Sequence, residues 1–557
     1  MSIIAEVFLV ILALADDISK FERRIPMKKQ LILFMTVVVV LALTLTSCSL
    51  FDKGDEEVTT TPEEVHVCLT GEWIISEYPT DTKDGVKQKV CLDCGSVMVE
   101  EAIQGSTGLA YTLNGKTYAV SGIGECRDSE IVIPRTYMGI PVTSIADGAF
   151  RNYTAIVSVT VGDNINAIGA NAFNGCTSLS SVVLPNSIGK IGDGAFTGCS
   201  LLENVRFNGD IFDWLNIEFT GITSNPLNNA ANLYLGLDLV DNLVIPAEVI
   251  QIPNYAFAGC KSLASLKVGD DVRIIGSYSF ANCPALADID LGVNTRKIET
   301  YAFSNCSKLT SVVIPDQVVT LEGYCFHKCT SVETLTFGAS LYSIGNNAFD
   351  NCTSLRTVNI TESVGRIAQN VWTNCIALEI VNYDGTADQW ARIIFADGSA
   401  NPMGINKTTK PYFQGTLVKD LVINEATQIN AYAFYKCNSL ESVTLGDSVA
   451  VIGAYAFQSC PILETVTLNG NVQNNAFDLC PYLESVTIGK NVTSIGGYAF
   501  ASCPYLDDIY YAGSESGWTA VSKTGTWKNS SGDCTVHFAE VDPEPEPEPD
   551  PETDVVS

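Results

Sequence analysis

The segment Leu179-Ser180-Ser181-Val182-Val183-Leu184-Pro185-Asn186-Ser187-Ile188-Gly189-Lys190-Ile191-Gly192-Asp193-Gly194-Ala195-Phe196-Thr197-Gly198-Cys199 holds one complete structural unit. Leu179, Val182 and Leu184 fall at strand spacing, and Pro185 ends that strand on its exposed side. Ile188 and Ile191 form a second short apolar pair, after which Gly192 is expected to supply a turn with positive φ. Ala195 and Phe196 are expected to pack inward from a helical or 3₁₀ turn, with Cys199 closing the coil. The Phe–Cys pair recurs at 23-residue spacing as Phe173/Cys176 and Phe196/Cys199, then from Phe257/Cys260 to Phe349/Cys352, and again from Phe434/Cys437 to Phe500/Cys503. Trp372 stands in for the phenylalanine ahead of Cys375, and one interval, Phe457 to Phe477, is shortened to 20 residues.

A fixed period of 20–29 residues marks a leucine-rich-repeat solenoid. The expected fold is therefore α/β to mainly β: a right-handed solenoid of 23-residue coils with short strands and helical or 3₁₀ turns. One coil alone buries too little surface to order its own backbone, so neighbours must supply the core. Stacked coils point equivalent cysteines in parallel at about 4.8 Å, whereas a disulfide needs Cβ atoms about 3.5–4.5 Å apart and converging. The column reads as buried thiols acting as small hydrophobes. The state of Cys126 and Cys534, at the two ends of the array, stays open.

The solenoid is expected over residues 147–507, with an N-terminal cap at 105–146 and a closing segment at 508–539. In the cap, Tyr111-Thr112-Leu113 and Tyr118-Ala119-Val120 suggest a hairpin across Asn114-Gly115. The period breaks twice, near 208–242 and 383–420, and both breaks have one form. Each runs Gly-x₄-Trp (Gly209/Trp214; Gly385/Trp390), then Phe (Phe219; Phe395), then Asn-Pro (Asn225-Pro226; Asn401-Pro402), and returns through Leu-Val-Ile. Insertions in solenoids often carry binding. The simpler account of Trp214 and Trp390 is that they cover apolar core around the enlarged coil, and the loops between them and the return strands are the better contact candidates.

Before the cap, residues 1–47 read as a targeting segment. Met27-Lys28-Lys29 is a basic start, and Leu31–Leu45 an apolar run short for a bilayer span. Translation is expected to begin at Met27; the alternative is a genuine additional apolar stretch at Met1–Leu14. Leu45-Thr46-Ser47-Cys48 resembles a bacterial lipobox, which implies lipidation at Cys48 and a membrane anchor. Residues 48–65 are an acidic, Thr-rich tether, and 540–557 an acidic Pro-rich tail expected to favour extended polyproline II.

Residues 66–103 form a small Cys/His module. Cys91-Leu92-Asp93-Cys94-Gly95 makes a tight knuckle able to present two thiolates to one tetrahedral Zn²⁺, with His66 and Cys68 as possible further ligands. A disulfide involving Cys91, Cys94 or Cys68 is the other open reading. The segment is similar to small Gly-x-Trp…Pro-Thr…Cys-x-x-Cys-Gly modules of bacterial surface proteins, which often place a cysteine where this chain has Asp81. No cofactor is required, and a closed four-ligand site would be structural only.

With 557 residues and a formal charge of −31, the chain is a poor partner for nucleic acid or an anionic bilayer surface. Only three histidines exist (His66, His327, His537), and none stands at nucleophile–base spacing, so no enzyme is expected. The middle residue of each Val-x-Ile points away from the core. That row reads Thr160, Val183, Arg206, Lys267, Asp290, Val313, Thr336, Asn359, Thr444, Thr467 and Thr487, with a charged patch at Arg206, Lys267 and Asp290 and no aromatic stripe. Its simpler account is strand propensity and solubility.

Ile168-Gly169-Ala170-Asn171-Ala172-Phe173-Asn174-Gly175-Cys176, the Gly-x₄-Trp insertions and the Tyr-rich cap together resemble the BspA-like leucine-rich-repeat surface proteins of bacteria, over roughly Leu109 to Phe538. The resemblance implies a cell-surface location facing outward and binding to extracellular or host proteins such as fibronectin and fibrinogen. Alternatives are a glycan- or envelope-binding module contacting ligand through the insertion tryptophans, and a passive spacer.

Overall fold

The computed structural model describes residues 70–229 and 231–539. The targeting segment, tether and acidic tail, with Cys48, His66 and Cys68, lie outside the described residues.

A regular coil has three walls. The first is a strand such as Ser181–Pro185, in parallel register with its neighbours so that Val182 stands opposite Val159 and Val205. The second is a two-residue strand such as Lys190–Ile191, with Ile191 opposite Ile168 and Phe219. The third wall closes through tight i→i+3 bonds: Ala195 N–H to Gly192 O, Thr197 N–H to Gly194 O and Cys199 N–H to Phe196 O. No helix propagates from these turns, because left-handed residues punctuate them two positions before and two after each phenylalanine: Gly194 (φ 70°) and Gly198 (φ 77°) flank Phe196, and Tyr278 (φ 57°) and Asn282 (φ 59°) flank Phe280. Asparagine and glycine suit that region.

Gly192 is therefore not the positive-φ residue expected of it. A Cβ there would lie 2.5 Å from Ala170 N, so its role is close approach to the preceding coil.

All the repeat phenylalanines are buried, and their rings stack from coil to coil, Phe173 lying 5.2 and 5.3 Å from Phe150 and Phe196. Trp372 continues the stack 5.5 Å from Phe349, and its Nε1–H donates to Ala400 O at 2.9 Å, tying the last regular coil to the insertion that follows. The cysteine column is a file of buried, reduced thiols. Within an uninterrupted run of coils each reaches the carbonyl of the phenylalanine in the coil before it, as Cys176 does to Phe150 O (3.1 Å), Cys199 to Phe173 O (3.2 Å) and Cys306 to Phe280 O (3.2 Å), whereas Cys260 and Cys437, just after the insertions, meet Ser262 and Ser439. The column thus satisfies a buried acceptor as well as filling space, which cysteine can do and alanine cannot. Cys126 is likewise a buried thiol, and Cys534 is half-buried with its sulfur 3.3 Å from Lys528 Nζ.

The short coil loses its residues at the corner between the two sheets. Gly470 turns that corner, where a Cβ would stand 2.2 Å from Val449 O. The first wall is interrupted at each insertion and once more between Asp288–Asp290 and Ser311–Val313, where no ladder joins the strands. In that coil Thr295 replaces the buried isoleucine of the repeat and donates to Leu291 O at 2.5 Å.

At the N-terminal end the hairpin Ala110–Asn114/Thr117–Gly122 forms with Asn114 opposite Thr117, so Gly115 (φ 65°) and Lys116 make the turn, one residue later than expected. Its second strand joins Ile140–Ile145 in parallel and starts the second wall. At the other end Thr535–Phe538 pairs with Asp508–Tyr511, and Trp527 meets the last phenylalanine, Phe500, edge-on at 6.2 Å.

Candidate functional site

The insertions place their tryptophans inside. Trp214 and Trp390 are both 0% exposed. Trp214 Nε1–H donates to Ala256 O at 2.9 Å and Trp390 Nε1–H to Ala433 O at 2.6 Å. The Asn-Pro asparagines complete the same frame: Asn225 donates to Tyr255 O and Ala256 O, and Asn401 to Tyr432 O and Ala433 O. Asn225 Oδ1 accepts from Leu227 N–H and Asn401 Oδ1 from Met403 N–H, both at 2.9 Å. Both insertions are thus one device for splicing the solenoid, with every polar atom of the device directed at backbone. Trp214 and Trp390 are removed from the candidate contacts, because no ligand ring can reach an indole whose faces meet Phe207 and Phe219 in one case and Tyr383, Phe395 and Phe413 in the other.

The outward row of the first wall exists, with Thr160 beside Val183 beside Arg206, and Thr444 beside Thr467 beside Thr487. Its charged patch is not contiguous. Lys267 and Asp290 are register neighbours in the sheet after the first insertion, whereas Arg206 belongs to the sheet before it, next to Tyr234. The Arg206 guanidinium lies 4.4 Å from the Tyr234 ring centre, a cation–π pair.

The row also holds aromatic residues that the Val-x-Ile pattern misses. Tyr234 and Tyr412 enter from the insertion strands Asn232–Leu235 and Lys410–Phe413, and Tyr510 and His537 from the closing coil. Tyr510 and His537 stack at 4.8 Å, and Asp508 holds the imidazole Nε2 at 2.7 Å. The signal that could have found them is the alternation Leu233-Tyr234-Leu235, Pro411-Tyr412-Phe413 and Ile509-Tyr510-Tyr511, with the aromatic at the outward position each time. Between them runs an amide ladder: Asn382 donates to Asn359 at 2.8 Å and Asn359 to Thr336 at 3.0 Å.

The small module is a three-stranded antiparallel sheet, Thr70–Glu77, Gly85–Cys91 and Val97–Ile103. It docks on the cap. Asp81 accepts from Thr136 Oγ1 (2.6 Å) and Gly139 N–H (3.2 Å), which holds its carboxyl below the usual range, the threonine bond contributing most. Tyr78 Oη accepts from Asn208 at 2.6 Å, and burial pushes the phenol up to about 12. Asp81 is therefore a docking residue. The Cys91–Cys94 knuckle forms with Gly95 at φ 70° and Gly95 N–H on Cys91 O at 2.9 Å, so both thiols arise from one tight turn, Cys91 buried and Cys94 exposed. Two thiols are half of the four ligands a tetrahedral zinc takes. Among the described residues no cluster of three metal-ligating side chains occurs, and no helix is long and apolar enough to cross a membrane.

No curated protein matches this chain. Among solved structures it is similar to a leucine-rich repeat protein from Bacteroides ovatus (22% identity, 78% of this chain and 98% of that one, TM-score 0.49). It is also similar to a leucine rich cell surface protein from Faecalibacterium prausnitzii (22%, 75% and 96%, TM-score 0.34) and to the pneumococcal vaccine antigen PcpA (16%, 78% and 98%, TM-score 0.31). The family of the BspA type leucine rich repeat region matches residues 125–225, 230–337, 296–399 and 406–517, in six copies. With its stacked phenylalanine and cysteine columns inside those residues, the chain belongs to the BspA-type leucine-rich-repeat family.

Proposed function

We propose that this protein is a lipid-anchored surface solenoid that binds extracellular proteins, including host matrix proteins, through the outward row of its first wall. The observation that carries the reading is the row itself: side chains of small hydroxyl and amide residues in register within each sheet of the first wall, with Tyr234, Tyr412 and Tyr510 set among them. Tyrosine presents a large amphipathic contact at low entropic cost, which protein interfaces favour. A repeat solenoid is a binding scaffold, and here the core is fully used in holding the coils together.

The test is binding of the full chain to immobilised fibronectin and fibrinogen in a salt series. Thr444→Arg with Thr487→Arg places two bulky cations on exposed row positions and should reduce affinity at least tenfold with the melting temperature unchanged. Silence toward the whole panel, or indifference to the double change, sinks the reading.

Two further parts of the reading rest on residues at the N-terminal side. Cys48 is the lipidated residue, and Cys91 and Cys94, with His66 and Cys68, hold a structural zinc. Mass spectrometry of chain extracted from membranes should show one diacylglycerol adduct on Cys48 and, under native conditions, one zinc. An unmodified Cys48 or a Cys91–Cys94 disulfide would replace either assignment.

A further inference from the structure

The two insertions share one frame but differ in the loop that leads to the return strand. From Asn225 to the strand Asn232–Leu235 the loop takes seven residues, and from Asn401 to Lys410–Phe413 it takes nine. The extra length adds nothing to the core, since Lys407 and Thr408 are exposed. It is nevertheless held firmly. Asn406 Nδ2 donates to Leu378 O at 2.6 Å, and its Oδ1 accepts from Thr408 N–H (2.9 Å) and Thr408 Oγ1–H (2.7 Å). A longer loop that is ordered yet unneeded for the splice calls for a role outside folding.

The loop forms one side of a cleft of about 590 Å³, within the range of small-ligand sites. Half-buried Ile380 and Tyr412 line it together with the exposed residues Lys407 and Lys410. No carboxylate among the described residues lies within ion-pair distance of either lysine. This is notable in a chain with 63 acidic residues against 32 basic ones. Glu379, also at the cleft, is held by Arg356 at 3.1 Å.

The hydroxyl hydrogens of the remaining polar groups and one N–H of Asn438 are committed inward, which leaves Asn438 its Oδ1 and its second N–H for a ligand. Thr408 Oγ1–H goes to Asn406, Asn438 Nδ2–H to Asn406 O at 2.8 Å, and Ser439 Oγ–H to Val418 O at 2.6 Å. Their oxygens therefore offer acceptors to a ligand, and the lysines offer positive donors. A ligand that matches has hydroxyl donors, a carboxylate and an apolar ring face. We propose that this cleft binds a uronic-acid residue of an acidic saccharide, its carboxylate between Lys407 and Lys410 and its hydroxyls on Thr408 and Asn438.

Charge-assisted hydrogen bonds are the strong ones in such a site, so the lysines should dominate affinity. The experiment is calorimetric titration of the full chain with trisaccharides of galacturonate, glucuronate and mannuronate, and with neutral galactotriose, at 0.15 M salt. At least one uronate should bind tenfold or more tightly than the neutral sugar. Lys407→Gln with Lys410→Gln should abolish that preference without changing the melting temperature. Lys267→Gln, outside the cleft, should leave it intact, as should Thr444→Arg with Thr487→Arg, which separates this site from the protein-binding row. No binding by any uronate, equal binding of neutral and acidic sugars, or equal competition by polyglutamate would each overturn the assignment.

Discussion

Raising the pH from 8 to 10.5 unfolds the solenoid in a steep transition. The cause is the cysteine column. Burial pushes the thiols of Cys176 and Cys437 up to about 11 and those of Cys199, Cys306 and Cys375 up to about 12. Burial also raises Cys260, Cys283, Cys329, Cys352, Cys460 and Cys503. The folded state keeps these groups protonated while the unfolded chain ionises them near its ordinary thiol value of about 8.5. Stability from each is thus complete below about pH 8.5 and is lost as pH rises from there toward the folded value. Linkage sets the loss at about 1.4 kcal/mol per pH unit for each thiol, or about 15 kcal/mol per unit for eleven acting together. A fold stable by the usual ~5–15 kcal/mol has no reserve against that. Circular dichroism against pH, with urea midpoints at each step, measures it. Stability that stays level to pH 10.5 would show that the thiols are not shielded in the way their burial implies.

Trp390→Ala lowers the stability of the second splice by about 3–5 kcal/mol, the usual cost of emptying a buried aromatic site. The indole touches Tyr383, Phe395 and Phe413, with ring centres 5.0, 5.6 and 5.4 Å away, so the hole cannot be closed by one neighbour moving. The indole Nε1–H also donates to Ala433 O, a bond the change removes, although Asn401 continues to donate to that carbonyl at 2.8 Å. Trp390→Phe keeps much of the packing and should cost less than half as much. Because coils couple mainly to their neighbours, the loss should appear as an early, separate step in urea unfolding. A variant that keeps full stability while losing ligand would return Trp390 to the surface and undo the splice.

The repeat was legible because its chemistry is periodic. Every 23 residues the same inward set recurs, and parallel stacking turns a one-dimensional period into columns, so Phe303 or Cys306 could be placed without coordinates. The insertion tryptophans lie where the period breaks, so the sequence left them both as core cover and as candidate contacts until burial placed them inside. Gly192 was misread because a glycine has two distinct uses, and its sequence context does not separate freedom of φ from absence of a Cβ. The row's aromatic residues escaped because insertions of unequal length hide register: Tyr234 and Tyr412 sit in line with the repeats only through strand pairing.

By itself the sequence determined the solenoid, its coil length, its two spliced insertions and the reduced state of the cysteine column, since each depends on local pattern and on stacking identical units. Only the tertiary structure decided three things. Arg206 is parted from Lys267 and Asp290 by an insertion, Asp81 docks the small module on the cap, and Lys407 and Lys410 come together along one cleft. Each of these depends on which segments meet after a break in the period, and where the period stops the spacing of residues along the chain no longer measures their separation in space.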